Sequence, residues 1–109
     1  MSVGLGNVRI RGVSGRIYTF RAYPIETAFA RVGAVYFISS RNHQPDGRIS
    51  HSRIYCGETG NLSTRPDVVN SANSFKINNA NCICILPKED GSLRAEIERD
   101  IHRKYKFLC

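Results

Sequence analysis

The sequence predicts an α/β fold: a small, mostly antiparallel three-stranded sheet flanked by helices, with an additional N-terminal β-hairpin. Three observations support this prediction. The segments GAVYFIS, RIYC and CICIL are short apolar runs bounded by turn residues, as expected of strands. Two β-rich segments near the N-terminus are joined by a glycine turn, which is typical of a hairpin. Near the end of the chain, apolar residues recur at every fourth position, which indicates an amphipathic helix.

The N-terminal hairpin is predicted from Val8 to Gly12 and from Arg16 to Tyr23, with Gly15 in the turn. Pro24 ends the second strand, because it lacks a backbone N–H group. Residues Glu26 to Val32 are predicted to form a short helix before a glycine restarts extended structure.

The chain has 109 residues, enough for one domain with a modest core. Residues 1–32 are assigned to the hairpin extension, which packs on a domain of residues 33–109. Hydrophobic residues make up 41% and charged residues 23%, which excludes a disordered polyelectrolyte. No apolar run approaches the ~20 residues that cross a bilayer, and no signal peptide is recognisable. A cytoplasmic location without a membrane partner is therefore expected.

The charge is unevenly distributed along the chain. Sixteen basic residues against nine acidic ones give a net charge of +7, and twelve of the sixteen are arginine. The first 57 residues contain eight arginines but only two acids, Glu26 and Asp46. This composition favours a polyanionic partner such as nucleic acid. A soluble surface with a positive bias is the equally weighted alternative.

Cysteines and histidines show no metal-site spacing in the sequence. The four cysteines lack a paired CxxC pattern, and Cys82 and Cys84 are predicted to be small core residues on one face of a strand. The polar segment Arg41 to Ser52 is predicted to be a mobile loop. It contains His43, expected to be exposed, and His51, which could approach the end of the next strand.

That strand leads into a turn and a predicted helix start in RIYCGETGNLSTR. Tyr55 lies near the end of the strand, and the glycines that follow allow a sharp turn. Ser63 or Thr64 could cap a helix, which places Arg65 near the phenol of Tyr55. A guanidinium binds phosphate oxygens as a bidentate fork, and a phenol can transfer a proton beside it.

The last predicted helix runs from Leu93 to Tyr105, with an apolar stripe every fourth residue. Polar residues are expected to point away from the sheet: Glu96, Arg99, Asp100 and Arg103. Glu98 lies at the border of the stripe. Its ordinary interpretation is a solvated charge or an ion pair with Arg94 or His102 one turn away.

Together, GAVYFI and RIYCGETGNLSTR resemble the two-tyrosine signature of the GIY-YIG nuclease domain. In that family the two tyrosine strands pair as a hairpin, and an arginine follows on a helix. Tyr36, Tyr55 and Arg65 occupy the matching positions. EIERDIHRKYKF resembles the last family helix, in which a glutamate seven residues before a tyrosine binds a divalent metal, and Glu98 has that spacing. The resemblance covers residues 33–109.

The resemblance implies a metal-dependent endonuclease that hydrolyses DNA phosphodiester bonds. Tyr36 is implied as the general base, Tyr55 as a phenol that orients water or phosphate, and Arg65 as the phosphate ligand. Glu98 is implied to hold Mg²⁺ or Mn²⁺. Three further basic residues are candidate nucleic-acid contacts: Arg41, Arg53 and Lys76.

The sequence also departs from the family pattern. Val69 or Asn70 stands where many members carry a histidine, Pro66 directly follows the motif arginine, and Cys109 ends the chain where an asparagine is expected. A phenol with a pKa of about 10 needs a neighbouring cation or base, for which Arg53, His51 and Lys76 are the candidates. Two alternatives therefore remain: a catalytically weakened domain that binds nucleic acid without efficient cleavage, and a small protein-interaction domain.

Overall fold

A computed structural model describes residues 4–64 and 79–105. These residues form one antiparallel sheet of five strands, a short 3-10 turn and one α-helix. The elements, in chain order, are β1 (Gly6–Arg11), β2 (Ile17–Pro24), β3 (Ala34–His43), β4 (Ile49–Thr59), the 3-10 turn (Leu62–Thr64), β5 (Cys82–Pro87) and α1 (Gly91–His102). The α/β class is thus confirmed. The helix predicted after Arg65 lies outside the described residues.

The strand order is β1-β2-β5-β3-β4. The predicted three strands are β5, β3 and β4, and the predicted hairpin is β1–β2. Because β2 pairs with β5, the hairpin extends the same sheet to five strands. Strand β5 is central, as its fully apolar sequence indicated, and β4 lies at one edge of the described sheet.

Strands β3 and β4 form a long antiparallel hairpin with a bulge in β4. Ile38 is paired with Tyr55, whereas the next residue, Ser39, is paired with Arg53. Ile54 is therefore the extra residue of the bulge. The shift places Tyr55 on the same face of the sheet as Ile38 and Tyr36, because paired residues point to the same side.

Two apolar cores cover the two faces of the sheet. On the side that we call the helix face, Ile97 and Ile101 of α1 pack against the sheet, while Leu93 remains exposed. The sheet residues buried there are Ile10, Phe20, Ala22, Val35, Phe37, Cys56, Cys82 and Cys84. On the other side, the phenol face, the buried residues are Ala34, Tyr36, Ile38, Ile54, Leu62, Ile83 and Ile85.

Residues Glu26 to Val32 do not form the predicted helix; they form a turn and an irregular connection. The ring of Phe29 packs edge-to-face against that of Tyr23 with centroids 5.3 Å apart. This contact and the packing of the neighbouring Ile25 against the phenol face stabilise the irregular backbone conformation of the segment. Tertiary packing therefore outweighs local helix propensity in this segment.

The segment predicted to be a mobile loop, Arg41 to Ser52, is mostly strand. Strand β3 continues to His43 and β4 begins at Ile49, so the turn between them is short. The N–H of Gln44 donates to the carbonyl of Arg48 at 2.7 Å, and Gly47 adopts a φ of 87° that favours glycine. Polar residues are tolerated because this end of the hairpin is exposed on both faces.

Asp100 was predicted to point into solvent, but it fastens the N-terminal hairpin to α1. Its carboxylate accepts hydrogen bonds from the backbone N–H and hydroxyl of Ser14, at 2.9 and 2.6 Å, and from the Tyr18 hydroxyl at 2.7 Å. These bonds hold the pKa of Asp100 below its usual value. Helix α1 is capped by Asp90, which accepts from the N–H groups of Ser92 and Leu93.

Candidate functional site

The two signature tyrosines meet on the phenol face above Gly57. Their ring centroids are 6.2 Å apart. Gly57 is paired with Tyr36 across the hairpin. A Cβ atom at Gly57 would lie 3.2 Å from each of the two phenol oxygens and 2.9 Å from Cε1 of Tyr55. The absence of a side chain at position 57 is therefore what allows both hydroxyl groups to converge there.

The two phenols differ in exposure. Tyr36 is 1% exposed, whereas Tyr55 is half-buried. Burial raises the pKa of Tyr55, and the negative charge of Glu98 and the nearby Cys56 raise it further. At neutral pH Tyr55 therefore keeps its proton even more fully than an ordinary tyrosine, because its phenolate form is disfavoured.

Glu98 lies beside edge strand β4. Its Oε1 is 3.2 Å from Nε2 of His102, and the same nitrogen is 3.1 Å from the carbonyl oxygen of Cys56. Since both neighbours are acceptors, Nε2 of His102 must carry a hydrogen. The structure thus contains the ion-pair alternative that the sequence suggested with His102. The other suggested partner, Arg94, instead binds Glu58 at 2.7 Å.

Helix α1 packs on the opposite face of the sheet from the two tyrosine rings. Glu98 nevertheless interacts electrostatically with Tyr55 and Cys56, because it lies where β4 forms the edge of the sheet. Its side chain is 31% exposed. Mg²⁺ is commonly held by one or two carboxylates, with water and substrate phosphate completing its shell. A half-exposed carboxylate with room toward solvent fits that requirement.

The remaining predicted site residues do not join the phenols. Arg53 lies on the helix face, where its guanidinium stacks on the ring of Tyr105 at 4.1 Å from the centroid. Arg41 also lies on that face, with its Nη1 atom 3.4 Å from Nε2 of His43. Arg65 and Lys76 lie outside the described residues. His51 and Arg53, two candidates to assist Tyr36, are on the opposite face from its ring.

A second cluster of chemically active side chains was missed by the sequence reasoning. One ligand atom each from His51, Cys82 and Cys84 lies within 4.8 Å of the others on the helix face. The Cys-x-Cys spacing on a strand was the available signal, since it places both thiols on one face. The histidine could not be recognised without the register of β3 and β4, because His51 is two strands away from β5.

A cavity of about 650 Å³ lies between β2 and α1. It is lined by Arg16, Tyr18, Leu93 and Arg103, among others, and by none of the three predicted catalytic residues that the structure describes, Tyr36, Tyr55 and Glu98. Its volume is that of a small-molecule pocket.

Comparison with known proteins returns no match: no family model fits the chain, and neither a curated protein nor a solved structure is significantly similar to it. The resemblance to the GIY-YIG domain therefore stays a prediction from motifs and their spacing. Among the described residues, no helix is long and apolar enough to span a bilayer.

Proposed function

We propose that this chain is a metal-dependent endonuclease of the GIY-YIG type that hydrolyses DNA phosphodiester bonds. One observation carries the proposal. The hydroxyl groups of the two signature phenols converge above Gly57 on edge strand β4, and the charge of Glu98, which belongs to the helix on the opposite face, is near enough to raise the pKa of Tyr55. The motif residues are far apart in sequence, so their proximity supports a shared chemical role.

Each residue has a role in the proposed reaction. The oxygen of a water molecule attacks phosphorus, its proton passes to the phenolate form of Tyr36, and the bond from phosphorus to the leaving oxygen breaks, so that this oxygen departs with the bonding electrons. Tyr55 orients the water or a phosphate oxygen through its hydroxyl. Arg65 binds the phosphate and stabilises the charge that develops on it. Glu98 would hold Mg²⁺ or Mn²⁺, which would supply Lewis-acid stabilisation of the charge that develops during the reaction.

A cleavage assay with a matched pair of glutamates tests this proposal. Plasmid, branched and single-stranded DNA are incubated with Mg²⁺ or Mn²⁺ and the wild-type chain, Glu98→Ala or Glu96→Ala. We expect Glu98→Ala to reduce the cleavage rate by at least ~100-fold, the scale of losing one charge-stabilising group. Glu96→Ala removes an exposed carboxylate from the same helix and should leave the rate unchanged. Equal cleavage by the wild-type chain and Glu98→Ala would contradict the proposal.

The second candidate is a domain that binds nucleic acid without efficient cleavage. Two observations favour it: Tyr36 is almost completely buried, and the pKa of Tyr55 is raised. Both make a phenolate base harder to form. The net charge of +7 would still attract DNA. Salt-sensitive DNA binding with no cleavage by the wild-type chain would support this candidate. If the wild-type chain neither binds nor cleaves DNA, that result would support a protein-interaction domain.

A further inference from the structure

Two thiols and an imidazole converge on the helix face, outside the proposed nuclease site. Cys82 and Cys84 are both completely buried, and their sulfur atoms are 3.9 Å apart. They lie on β5, whereas His51 lies on β4, with β3 between the two strands. Ser39 is the β3 residue at this point, and its small side chain leaves room for the imidazole to lie across the strand.

The ring of His51 is held in position from two sides. Its Nδ1 atom is 2.8 Å from the hydroxyl of Ser39, and the ring of Phe37 packs against it edge-to-face with centroids 6.4 Å apart. A hydrogen bond at one ring nitrogen fixes the orientation of the imidazole, as the outer-shell partners of metal-binding histidines do.

The geometry of the two sulfur atoms suits a tetrahedral ion. With zinc–sulfur bonds of about 2.3 Å, tetrahedral coordination requires a sulfur–sulfur distance of about 3.8 Å, close to the 3.9 Å observed. All three ligand atoms lie within 4.8 Å of one another.

Charge balance decides which ion fits. A buried centre is stable only if its charges are compensated, because an uncompensated charge in a low-dielectric interior is costly. Two thiolates and a neutral imidazole around a divalent cation give zero net charge, whereas a monovalent cation would leave a negative one. Thiolate and imidazole are also the ligands that zinc prefers, and Mg²⁺ avoids them.

We propose that His51, Cys82 and Cys84 form a Zn²⁺ site with one further position for water. A cavity of about 170 Å³ borders the histidine side of this cluster and is lined by Ala22, Arg41, Ile49 and His51, among others. The site is independent of the proposed nuclease activity, since it shares no residue with Glu98 or the phenols.

Cobalt substitution followed by zinc competition tests the site. The reduced, metal-free full-length chain is titrated with Co²⁺ and then with Zn²⁺. We expect one Co²⁺ per chain, a sulfur-to-cobalt charge-transfer absorption in the near ultraviolet, and its loss on addition of Zn²⁺ but not Mg²⁺. His51→Ala and Cys84→Ser should each weaken binding by at least ~100-fold, since they remove a direct ligand. His43→Ala, on the same hairpin but outside the cluster, should bind as the wild type does.

A measurement on the wild-type chain keeps the test decisive if a variant does not fold, which circular dichroism of each variant reports. X-ray absorption of the zinc-loaded wild type should show two sulfur ligands and at least one imidazole nitrogen. Cobalt binding without charge-transfer absorption, a zinc shell of oxygen atoms only, or unchanged affinity in a folded His51→Ala variant would each overturn the proposal.

Discussion

At the scale of single residues, the close approach of the two phenols depends on Gly57, which has no side chain. Gly57 faces Tyr36 across the hairpin, and the hydroxyls of both tyrosines fill the space that a side chain would take. The glycine is therefore required by a close approach of two side chains. The tyrosine-x-glycine pattern thus has a packing explanation in this fold as well as a functional one.

A methyl group at position 57 should separate the two phenols. Because a Cβ atom there would lie 2.9 Å from the Tyr55 ring, we expect Gly57→Ala to destabilise the fold by about 1–3 kcal/mol, as overpacking does. Gly60→Ala is the matched control, since its nearest neighbour would be 3.5 Å away. Urea unfolding of both variants measures the difference. Equal stability would show that the phenols do not converge at this point.

The charge of Glu98 should be visible in the titration of Tyr55. Burial and Glu98 both raise the pKa of Tyr55, so Glu98→Gln should lower it toward 10 without restoring it fully. A raised pKa stabilises the fold at pH values below 10, and this contribution is lost as pH rises through the folded-state pKa. In both chains the loss begins near the unfolded-state pKa of about 10, but in Glu98→Gln it should be complete at a lower pH and be smaller in total. Ultraviolet difference titration checks this, with Glu96→Gln as control; an unchanged Tyr55 titration would place Glu98 away from the phenol.

The sequence allows some of these residues to be predicted but not their environments. The motif predicts that the strands of Tyr36 and Tyr55 pair as a hairpin, and they do. The contact of Glu98 with His102 is one of the alternatives that their spacing of one helix turn suggested. The burial of Tyr36 could not be predicted, because it depends on tertiary packing in the phenol-face core. The cluster of His51, Cys82 and Cys84 was missed because its residues come from strands that are not adjacent.

At the scale of elements, the N-terminal hairpin is held by its pairing with β5 and by the hydrogen bonds to Asp100. The Asp100 carboxylate binds Ser14 in the turn and Tyr18 on β2, and the Val13 N–H donates to the Asp100 carbonyl at 3.1 Å. Helix α1 therefore contacts the hairpin turn as well as the edge strand. This contact joins the two ends of the described chain.

Removing the Asp100 charge should loosen the hairpin turn while leaving the rest of the sheet intact. We expect Asp100→Asn to speed hydrogen exchange at the Ser14 amide, because the acceptor is weaker, and to lower the unfolding temperature. The pKa of Asp100 is lowered, so its stabilising contribution is present above 3.8 and is lost as pH falls through the folded-state value. The variant should lack that acid dependence.

Amide exchange measured by NMR across the pH range tests this prediction, with Glu96→Gln as the control on the same helix. If Ser14 exchanges at the same rate in Asp100→Asn and in the wild type, the hairpin is held by strand pairing alone.

The strands and the last helix could be predicted because their patterns are local. Alternation in β2 predicts that Phe20 and Ala22 share one face of the strand, and in the structure both are buried. The prediction of a helix from Glu26 to Val32 was wrong because the packing of Phe29 on Tyr23 is a tertiary contact, which a local sequence pattern does not reveal. The prediction of a mobile loop from Arg41 to Ser52 was wrong because the backbone pairing of β3 and β4 continues into this segment, and composition does not reveal pairing.

At the scale of the whole molecule, one sheet separates two clusters of side chains, the phenols on one face and the thiols with His51 on the other. The phenol face carries Tyr36 and Tyr55, and the helix face carries the buried thiols and His51. Glu98 belongs to the helix on one face, yet its charge raises the pKa of Tyr55 on the other face. The strand order that creates this arrangement is not readable locally, because β5 inserts between the hairpin and β3.

The most direct test of the central claim is to locate a hard divalent cation on the folded chain by NMR. Bound Mn²⁺ broadens the signals of nuclei near it, so the account predicts broadening at Glu98, Tyr55 and Cys56 that Mg²⁺ reverses and Glu98→Gln abolishes. Broadening centred elsewhere, for example at Asp46, or unchanged broadening in Glu98→Gln would contradict a metal-dependent site at this edge of the sheet.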